Sequence, residues 1–473
     1  MPFFNQTDRQ GQGLYDSHEF RILVLKEGLF LPQILHWSKL KISGVYAGFF
    51  FLVLGIHSFS GWIFKDNLFA WNETWPINIF WFDFPGPAGD WVFLLVQIFS
   101  FSLFYWFLKK QKFGIHWVMI ISLLLIFGSN LAHSWEKGFR LPHIGPSQYF
   151  ANADLGNQPL QFLSDFNHIQ ENLSVHSRSH PPGAVLFYAL LGQMQFGETG
   201  LISLWILIFS ALVSAWFLFE FLKREFPGEN AGRFSFLFLL IPGVMIYFCA
   251  SLDAVICAIT ISFFYFLGQE DNLKTRIGLM TTLFILNFLN FAMLFLFPVF
   301  LIWEIAIRKN SSRFFICASG IALLYILLFF LGGYNHVLAF FKASALENER
   351  GFELFSMPFV WVMSRIQAIL EIVIFTGPLF CYAAWRGIPL LKKNHSKMNV
   401  LFLSGVIIFS AILFTGAYHC GETGRACLFL YPFLFLPVVA FFSREENEKL
   451  LQQAPFLLFG QSLFMQYIGN YFW

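Results

Sequence analysis

The chain has 473 residues, of which 57% are hydrophobic, 20% are aromatic and only 12% are charged. Ordinary soluble domains carry roughly 25% charged residues, so this composition excludes a water-soluble protein. The formal net charge is only +2, which argues against nucleic acid as a partner because the chain offers no excess of basic residues to a phosphate backbone.

Long apolar blocks run through the sequence, for example at residues 44–64, 314–332 and 400–417. A helix of roughly 20 apolar residues crosses the hydrocarbon core of a bilayer, where backbone groups must pair within the segment. Tryptophans gather near the ends of such blocks, where amphipathic rings favour the headgroup zone. The sequence therefore predicts an all-α, polytopic membrane protein with about 12 or 13 transmembrane helices.

The first segments set the predicted orientation in the membrane. Residues 1–42 are polar and are predicted to form a cytoplasmic N-terminal segment, followed by spans at about 43–64 and 90–108. Lysines precede the first of these spans and follow the second, which places both flanks in the cytoplasm. A third span at about 115–133 carries the chain outward, so residues 134–182 are predicted to form a large outer loop.

Basic residues orient the later segments by the same rule. Residues 308–313 and 386–397 are predicted to be cytoplasmic, which places residues 334–358 and 419–425 outside. A last apolar stretch at about 453–473 is counted as a span. Between the outer loop and the basic residues after 307, the chain must therefore cross the membrane an odd number of times.

Two layouts satisfy that requirement. In the first, a short helix at about 183–197 crosses the membrane and Asp253 ends inside. In the second, that helix lies in the interface, residues 223–233 are cytoplasmic and Asp253 ends outside. Lysine and arginine in residues 223–233 favour the second layout, although the same loop also carries two glutamates.

The outer loop is rich in titratable residues. Carboxylates such as Asp154 and Asp165 lie there beside a group of histidines, and the histidines in the loop or at its edge are His133, His143, His168, His176 and His180. Such a density at a membrane boundary is typical of a functional site but names no reaction, and a simple solvated loop is the alternative.

The same loop is too apolar to be a free segment. Its large apolar residues predict one or two short helices folded back over the membrane surface. These residues are Phe150, Leu160, Phe162, Leu163, Phe166 and Ile169. The loop ends in His180-Pro181-Pro182-Gly183, and because each proline restricts the residue before it, the chain is predicted to enter the next helix from an extended segment.

Acidic residues also interrupt the later apolar segments. Asp253 lies in an otherwise apolar stretch, where a charge is costly unless it faces a cavity or a partner. Glu304 and Glu371 stand near Arg308 and Arg365 at helical spacing, which favours simple ion pairing.

No metal site is predicted. Several histidines and carboxylates could converge, but their spacing is not diagnostic, so no cofactor is named and a divalent metal is left open. The six cysteines also lack metal-type spacing and are predicted to be buried free thiols, with a disulfide between Cys420 and Cys427 left open.

One motif pattern in the outer loop is specific enough to compare with a family. It consists of Asp165, then Val175-His176, then Arg178-Ser179-His180-Pro181-Pro182-Gly183. An acidic residue in an early outer loop, a Val-His element and Arg-x-His-Pro-Pro-Gly at the mouth of a helix resemble a bacterial glycosyltransferase-like membrane family. That family belongs to the GT-C class of integral membrane glycosyltransferases.

Further matches extend the resemblance over roughly residues 115–440. They are Pro242 with Asp253, an outer segment at residues 333–350, and Gly421-Glu422-Thr423-Gly424-Arg425. The chain departs from the pattern at Gly424, which stands directly before Arg425 where an acidic residue is expected. A role for this late segment as a paired acidic site is therefore weakened.

The resemblance implies a GT-C-like transmembrane domain over residues 43–473 and transfer of a hexose or pentose from a polyprenyl-phosphate donor to a glycan, lipid or protein acceptor. It places the protein in the inner (plasma) membrane and its product in the cell envelope. Asp165 is then the candidate catalytic base, and Arg178 or Arg425 would face the donor phosphate. The candidate substrate-binding residues are His168, His176, Arg178, His180, Asp253 and Arg425.

Two other classes of function remain open. In a transporter or flippase for lipid-linked saccharides, the intramembrane charges would line a path and the outer loop would act as a lid. In a non-catalytic envelope assembly protein, the polar loop would be a docking surface. Internal pseudo-symmetry would favour the transporter, and the sequence shows none.

Overall fold

The computed structural model describes most of residues 114–468 and a few short stretches before them. The described residues are 44–49, 95, 97–102, 104–106, 114–249, 251–348, 351–416 and 422–468. The predicted N-terminal segment and most of the first two predicted spans lie outside them. Residues 44–49 are helical and belong to the compact unit Met1–Trp62, whereas the elements below belong to the unit Ile63–Trp473.

The structure is 87% helical, and its described part contains no strand. Helices α1 to α10 are Ile115–Asn130, Leu141–Ile144, Pro159–Ile169, Val175–Ser179, Pro182–Gln193, Gly200–Leu222, Gly228–Leu239, Pro242–Tyr247, Leu252–Gly268 and Leu273–Leu289. Helices α11 to α20 are Leu296–Trp303, Ser312–Gly332, His336–Glu347, Glu353–Ser356, Pro358–Thr376, Pro378–Asn394, Ser396–Thr415, Thr423–Ala426, Tyr431–Phe442 and Glu448–Ile468. Short 3-10 or π segments join several of them, among them Tyr149–Asn157, Phe291–Phe295 and Glu304–Arg308.

Several helices are long and apolar enough to cross a membrane. Within the described residues these are Ile115–His133, Gly200–Leu222, Phe291–Arg308, Ser312–Gly332 and Ser396–Thr415. Two bent pairs raise the number from five to as many as seven if each pair is one span. The all-α, polytopic membrane fold is thus confirmed, and the third predicted span coincides with the first of these helices.

A sharp bend separates the two helices of each bent pair. Residues 364–376 and 378–394 meet at 101°, and residues 428–442 and 445–466 meet at 97°. The first bend has a local cause, because Gly377 adopts φ +90° and Pro378 begins the next helix.

The helix α9 lies at the centre of the core. It packs against α6 on one side and α10 on another, and the segment Leu428–Leu430 contacts it as well. Nearly all of its residues are buried, including Val255, Ile256 and Phe263. A helix that is apolar all round suits such a buried position. Charged groups lie at the two ends of α9.

The outer loop is folded, as its apolar residues predict. Phe162, Leu163 and Phe166 on α3 are buried against Tyr334 and the helix α13. Leu160 is the exception among the predicted packing residues, because its side chain is 71% exposed. The loop is therefore a helical layer attached to the segment that follows α12.

Hydrogen bonds fix this layer to α13. The Asn167 side chain donates to the Asn335 carbonyl at 2.9 Å and accepts from the Asn335 N–H at 2.8 Å. Gln170 Nε2 donates to the Ala339 carbonyl, and Lys342 Nζ donates to the Asn167 carbonyl. Two segments far apart in sequence thus form one outer surface.

The predicted cytoplasmic loops meet at one end of α9, here called the basic end. Arg224 Nη1 donates to the Tyr265 carbonyl at 3.3 Å, and Arg313 Nη2 donates to the Leu267 carbonyl at 3.0 Å. His395 Nδ1 lies 3.9 Å from the Glu225 carboxylate, which brings residues 392–397 to the same end.

Asp253 lies in the first turn of α9, at the opposite end, here called the outer end. A helix of 17 residues separates its two ends by about 24 Å. The outer loop is at this end too, because the negative charge of Asp253 adds to burial in raising the pKa of Tyr149. This arrangement agrees with the second layout, as does α5, whose 12 residues span only about 18 Å and cannot cross the hydrocarbon core.

Candidate functional site

A buried charge group at the outer end is the candidate site. Arg425 Nε lies 3.6 Å from Asp253 Oδ2, and Arg425 Nη2 lies 3.6 Å from Glu422 Oε1. The side chains of Asp253 and Arg425 are each only 15% exposed. Two carboxylates thus share one guanidinium, at separations longer than those of a tight charge-assisted hydrogen bond.

Aromatic and imidazole rings of the outer loop lie beside this charge group. The Tyr149 ring stacks on Tyr188 with centroids 5.3 Å apart, and it meets His180 edge-on at 5.2 Å and His176 at 5.6 Å. Besides burial, the positive charge of Arg425 lowers the pKa of both histidines, and the negative charge of Asp253 raises the pKa of both tyrosines. The loop and the charge group therefore form one site.

The backbone places the histidines at the mouth of α5. His180 is extended, with φ −117° and ψ 161°, and Pro181 follows at φ −63°, which confirms the predicted extended entry into the helix. Its Nδ1 lies 3.0 Å from the His176 carbonyl. Because a carbonyl can only accept, Nδ1 carries the proton in the neutral ring and Nε2 is left as an acceptor.

Burial keeps these histidines neutral. It lowers the pKa of His180 to about 4, with the neighbouring His176 as the next cause. Burial also lowers the pKa of His176, and the positive charge of Arg425 lowers it further. At neutral pH the site therefore combines charged carboxylates and a guanidinium with uncharged imidazoles.

A third buried histidine supports the ring stack from behind. His143 Nε2 lies 2.8 Å from Ser203 Oγ, and that hydroxyl donates to the Phe139 carbonyl at 2.8 Å. Since the serine proton is used in that bond, His143 must donate from Nε2. Burial lowers the pKa of His143 to about 3, and its ring lies 5.6 Å from Tyr188.

The segment after α12 also reaches the site. Burial lowers the pKa of His176 and His180, and the carboxylate of Glu347 at the end of α13 partly offsets this by raising both pKa values. On the same helix, Lys342 pairs with Glu171 of the outer loop at 3.1 Å. The helix α13 thus adds a further carboxylate to the site and ties it to the loop.

Four of the predicted site residues come together here, namely His176, His180, Asp253 and Arg425. The other three lie elsewhere on the loop. Asp165 is half-buried and hydrogen-bonds with Ser164 Oγ at 3.3 Å, His168 is exposed, and Arg178 is half-buried on α4. In the described part of the chain, no hydrogen bond or ion pair joins these three side chains to Arg425 or Asp253.

Sequence reasoning missed Tyr149, Tyr188, Glu347 and the part played by Glu422. Glu422 carried a signal, because it stands three residues before Arg425 at helical spacing. The tyrosines carried none, since the chain has 14 of them and nothing in their spacing marks these two.

The structure describes most of the cysteines that the sequence analysis singled out. Cys249, Cys257, Cys317 and Cys427 are buried free thiols, as predicted. Cys381 is a free thiol that is only half-buried, and Cys420 lies outside the described residues. No group of three or more metal-ligating side chains converges within the described ranges.

Comparisons with known proteins add no identity to this geometry. No family model matches the chain, and no curated protein sequence matches it.

Proposed function

We propose that the chain is a membrane glycosyltransferase that moves a sugar from a polyprenyl-phosphate donor to an acceptor at the outer face of a plasma membrane. The observation that carries this proposal is the partly buried charge group of Asp253, Arg425 and Glu422, set beside neutral histidines at the end of α9 opposite the basic loops. A polyprenyl tail remains in the bilayer, so its phosphate arrives at the level of such a site.

The residues supply the parts that glycosyl transfer needs. The acceptor oxygen bonds to the anomeric carbon of the sugar while the bond from that carbon to the phosphate oxygen breaks. The phosphate leaves with the electron pair, and the acceptor proton passes to a carboxylate. Arg425 stabilises the departing phosphate, and Asp253 is the carboxylate that the geometry favours as the base.

The neutral rings fit the sugar. His180 Nε2 is an acceptor for a sugar hydroxyl, and the tyrosine rings beside it offer apolar faces and polar tips. Binding by uncharged groups leaves the charge of the site to act on the proton and the phosphate.

Asp165 stays a prediction for the base, carried by the resemblance to the glycosyltransferase-like family. It is half-buried on α3, where it accepts a hydrogen bond from Ser164 Oγ. Asp253, in contrast, lies within the charge group beside Arg425. The two carboxylates therefore compete for one role.

A transfer assay tests the proposal. The full chain in nanodiscs is supplied with polyprenyl-phosphate hexoses and pentoses labelled in the sugar, together with an envelope membrane extract as the acceptor source. Release of polyprenyl phosphate with label on an acceptor is the expected result. If the intact glycolipid moved across the bilayer without release of its sugar, the protein would be a transporter and not a transferase. If neither activity were seen, the protein would be a non-catalytic assembly protein.

A further inference from the structure

The residue before Arg425 is held from three sides. The Gly424 N–H donates to Glu371 Oε2 at 2.9 Å, and the Gly424 carbonyl accepts from the Tyr431 hydroxyl at 3.0 Å. A Cβ at this position would overlap Phe375 Cδ2. Because Glu371 and Phe375 are four residues apart on α15, one face of that helix both bonds the peptide group and fills the space of a side chain.

This contact explains the departure from the family pattern. No acidic side chain fits at Gly424, since Phe375 occupies the volume that it would need. The glycine is required here for a close approach of the backbone to α15.

The choice of a carboxylate to hold the glycine is costly and specific. Glu371 is only 1% exposed, and a buried carboxylate is tolerated only when it accepts hydrogen bonds. It also accepts from Gln367 Nε2 at 3.4 Å. Replacing this carboxyl group by an apolar side chain would leave the Gly424 N–H without its acceptor, so Glu371 fixes the Gly424 peptide through a hydrogen bond.

We propose that Glu371 and Tyr431 are positioning residues that fix the Gly424 peptide and thereby place the Arg425 guanidinium beside Asp253. They act through the backbone of α18 and need no contact with the substrate. The inference rests on the proposed function, because it is there that Arg425 is assigned to the donor phosphate.

Amide exchange of the full chain in nanodiscs tests the placement without any assay of activity. Glu371→Leu should speed exchange of the Gly424 amide on the order of tenfold, the effect of losing its hydrogen bond. Glu371→Gln keeps an oxygen that accepts the same bond and should stay near the wild type. Thr376→Val is the matched control, because its buried hydroxyl bonds only within its own helix and to Cys381.

Binding of farnesyl phosphate to the same variants tests the consequence for Arg425. Glu371→Leu should weaken this affinity on the order of tenfold, Glu371→Gln should restore it, and Thr376→Val should leave it unchanged. Should Glu371→Leu fail to fold, Tyr431→Phe carries both measurements, since it deletes only the bond to the Gly424 carbonyl.

Several results would overturn the inference. Unchanged exchange in Glu371→Leu or Tyr431→Phe would show that these residues do not fix the Gly424 peptide. Faster exchange with unchanged farnesyl phosphate affinity would show that they do not position Arg425. A wild-type chain that does not bind farnesyl phosphate would count against the proposed function. The exchange data would still decide whether Glu371 and Tyr431 fix the Gly424 peptide.

Discussion

The two ends of α9 hold buried charges of opposite design. At the basic end, Arg313 pairs with Glu304 through two bonds of 2.5 and 3.1 Å, and both side chains are at most 2% exposed. The remaining guanidinium donors bond the carbonyls of Leu267 and Gln269 at the end of α9, and the Gln269 carbonyl also accepts from Arg308 Nη2. Arg308 adds a third charge to the same group, 3.5 Å from Glu304.

At the outer end, the distances are longer and the balance of charge differs. Asp253 and Glu422 each lie 3.6 Å from Arg425, and the pair of Asp253 and Arg425 is 15% exposed. Buried charges that are fully bonded within the protein hold a fold together, whereas carboxylates that share one cation near the surface retain the capacity to take a proton or a ligand. The comparison therefore separates a fully buried cluster from the more exposed charge group that we propose as the site.

The largest effect is expected at the basic end. Arg313→Met leaves Glu304 buried without its main partner and should lower the free energy of unfolding by about 3 to 5 kcal/mol. Thermal unfolding of the purified protein, followed by tryptophan fluorescence, measures this loss.

Arg276 provides the matched control for that experiment. It pairs with Asp271 at 2.7 Å, but both side chains are about one-third exposed, at 34% and 32%. Arg276→Met should therefore cost less than about 1 kcal/mol. An equal loss of stability in the two variants would remove the distinction between buried and exposed pairs on which the comparison rests.

The next effect is expected at the outer end and in activity. Asp253→Asn keeps the shape and hydrogen bonding of the side chain but removes its basicity, so the rate of sugar transfer should fall on the order of a hundredfold or more. The melting temperature should change little compared with Arg313→Met.

Asp165→Asn, made in parallel, decides between the two candidate bases. Asp154→Asn is the control, because Asp154 is an exposed carboxylate on the same outer loop. Full activity in Asp253→Asn with loss in Asp165→Asn would assign the base to Asp165 and contradict the role inferred from the charge group.

The parts of the fold that depend on local sequence were predictable. The span at residues 115–133, the helical outer loop and the extended entry at His180 all follow from apolar pattern or proline stereochemistry. The ion pair of Glu304 with Arg308 also follows from helical spacing. Most of the first two predicted spans lies outside the described residues, so the predicted number of helices stays a prediction.

The parts that depend on tertiary packing were not predictable. Asp253 and Arg425 were singled out separately, but only the approach of α18 to α9 makes them a pair. The spacing in the sequence predicted an ion pair between Glu371 and Arg365. In the structure Glu371 accepts a hydrogen bond from the Gly424 amide, and Arg365 donates one to the Leu413 carbonyl. Such contacts between distant segments leave no trace in the spacing of a single sequence.

Lower pH should weaken the outer end through its buried histidines. The pKa of His180 is lowered from 6.5 to about 4, so the unfolded chain takes up a proton first as the pH falls. The stability contributed by the neutral ring is complete above pH 6.5 and is lost progressively towards pH 4. At pH 5 the loss from this ring is about 2 kcal/mol.

Thermal unfolding between neutral pH and pH 5 measures this loss. The decline should be shallower in His180→Gln than in the wild type, and the exposed His168 serves as the control through His168→Gln. Identical pH slopes for the wild type and His180→Gln would show that His180 is not held neutral by burial.

The smallest effect is expected where the outer loop meets α13. Asn167→Ala removes both bonds to the Asn335 backbone and should favour local opening of the loop by about 1 kcal/mol, without a comparable change in global stability. Limited proteolysis between residues 151 and 170 reports this opening, because cleavage follows the population of the open form when closing is fast. Gln161→Ala, an exposed position on the same helix, should leave the cleavage rate unchanged. If cleavage were already rapid in the wild type, the loop would not be the fixed layer that brings His176 and His180 to the charge group.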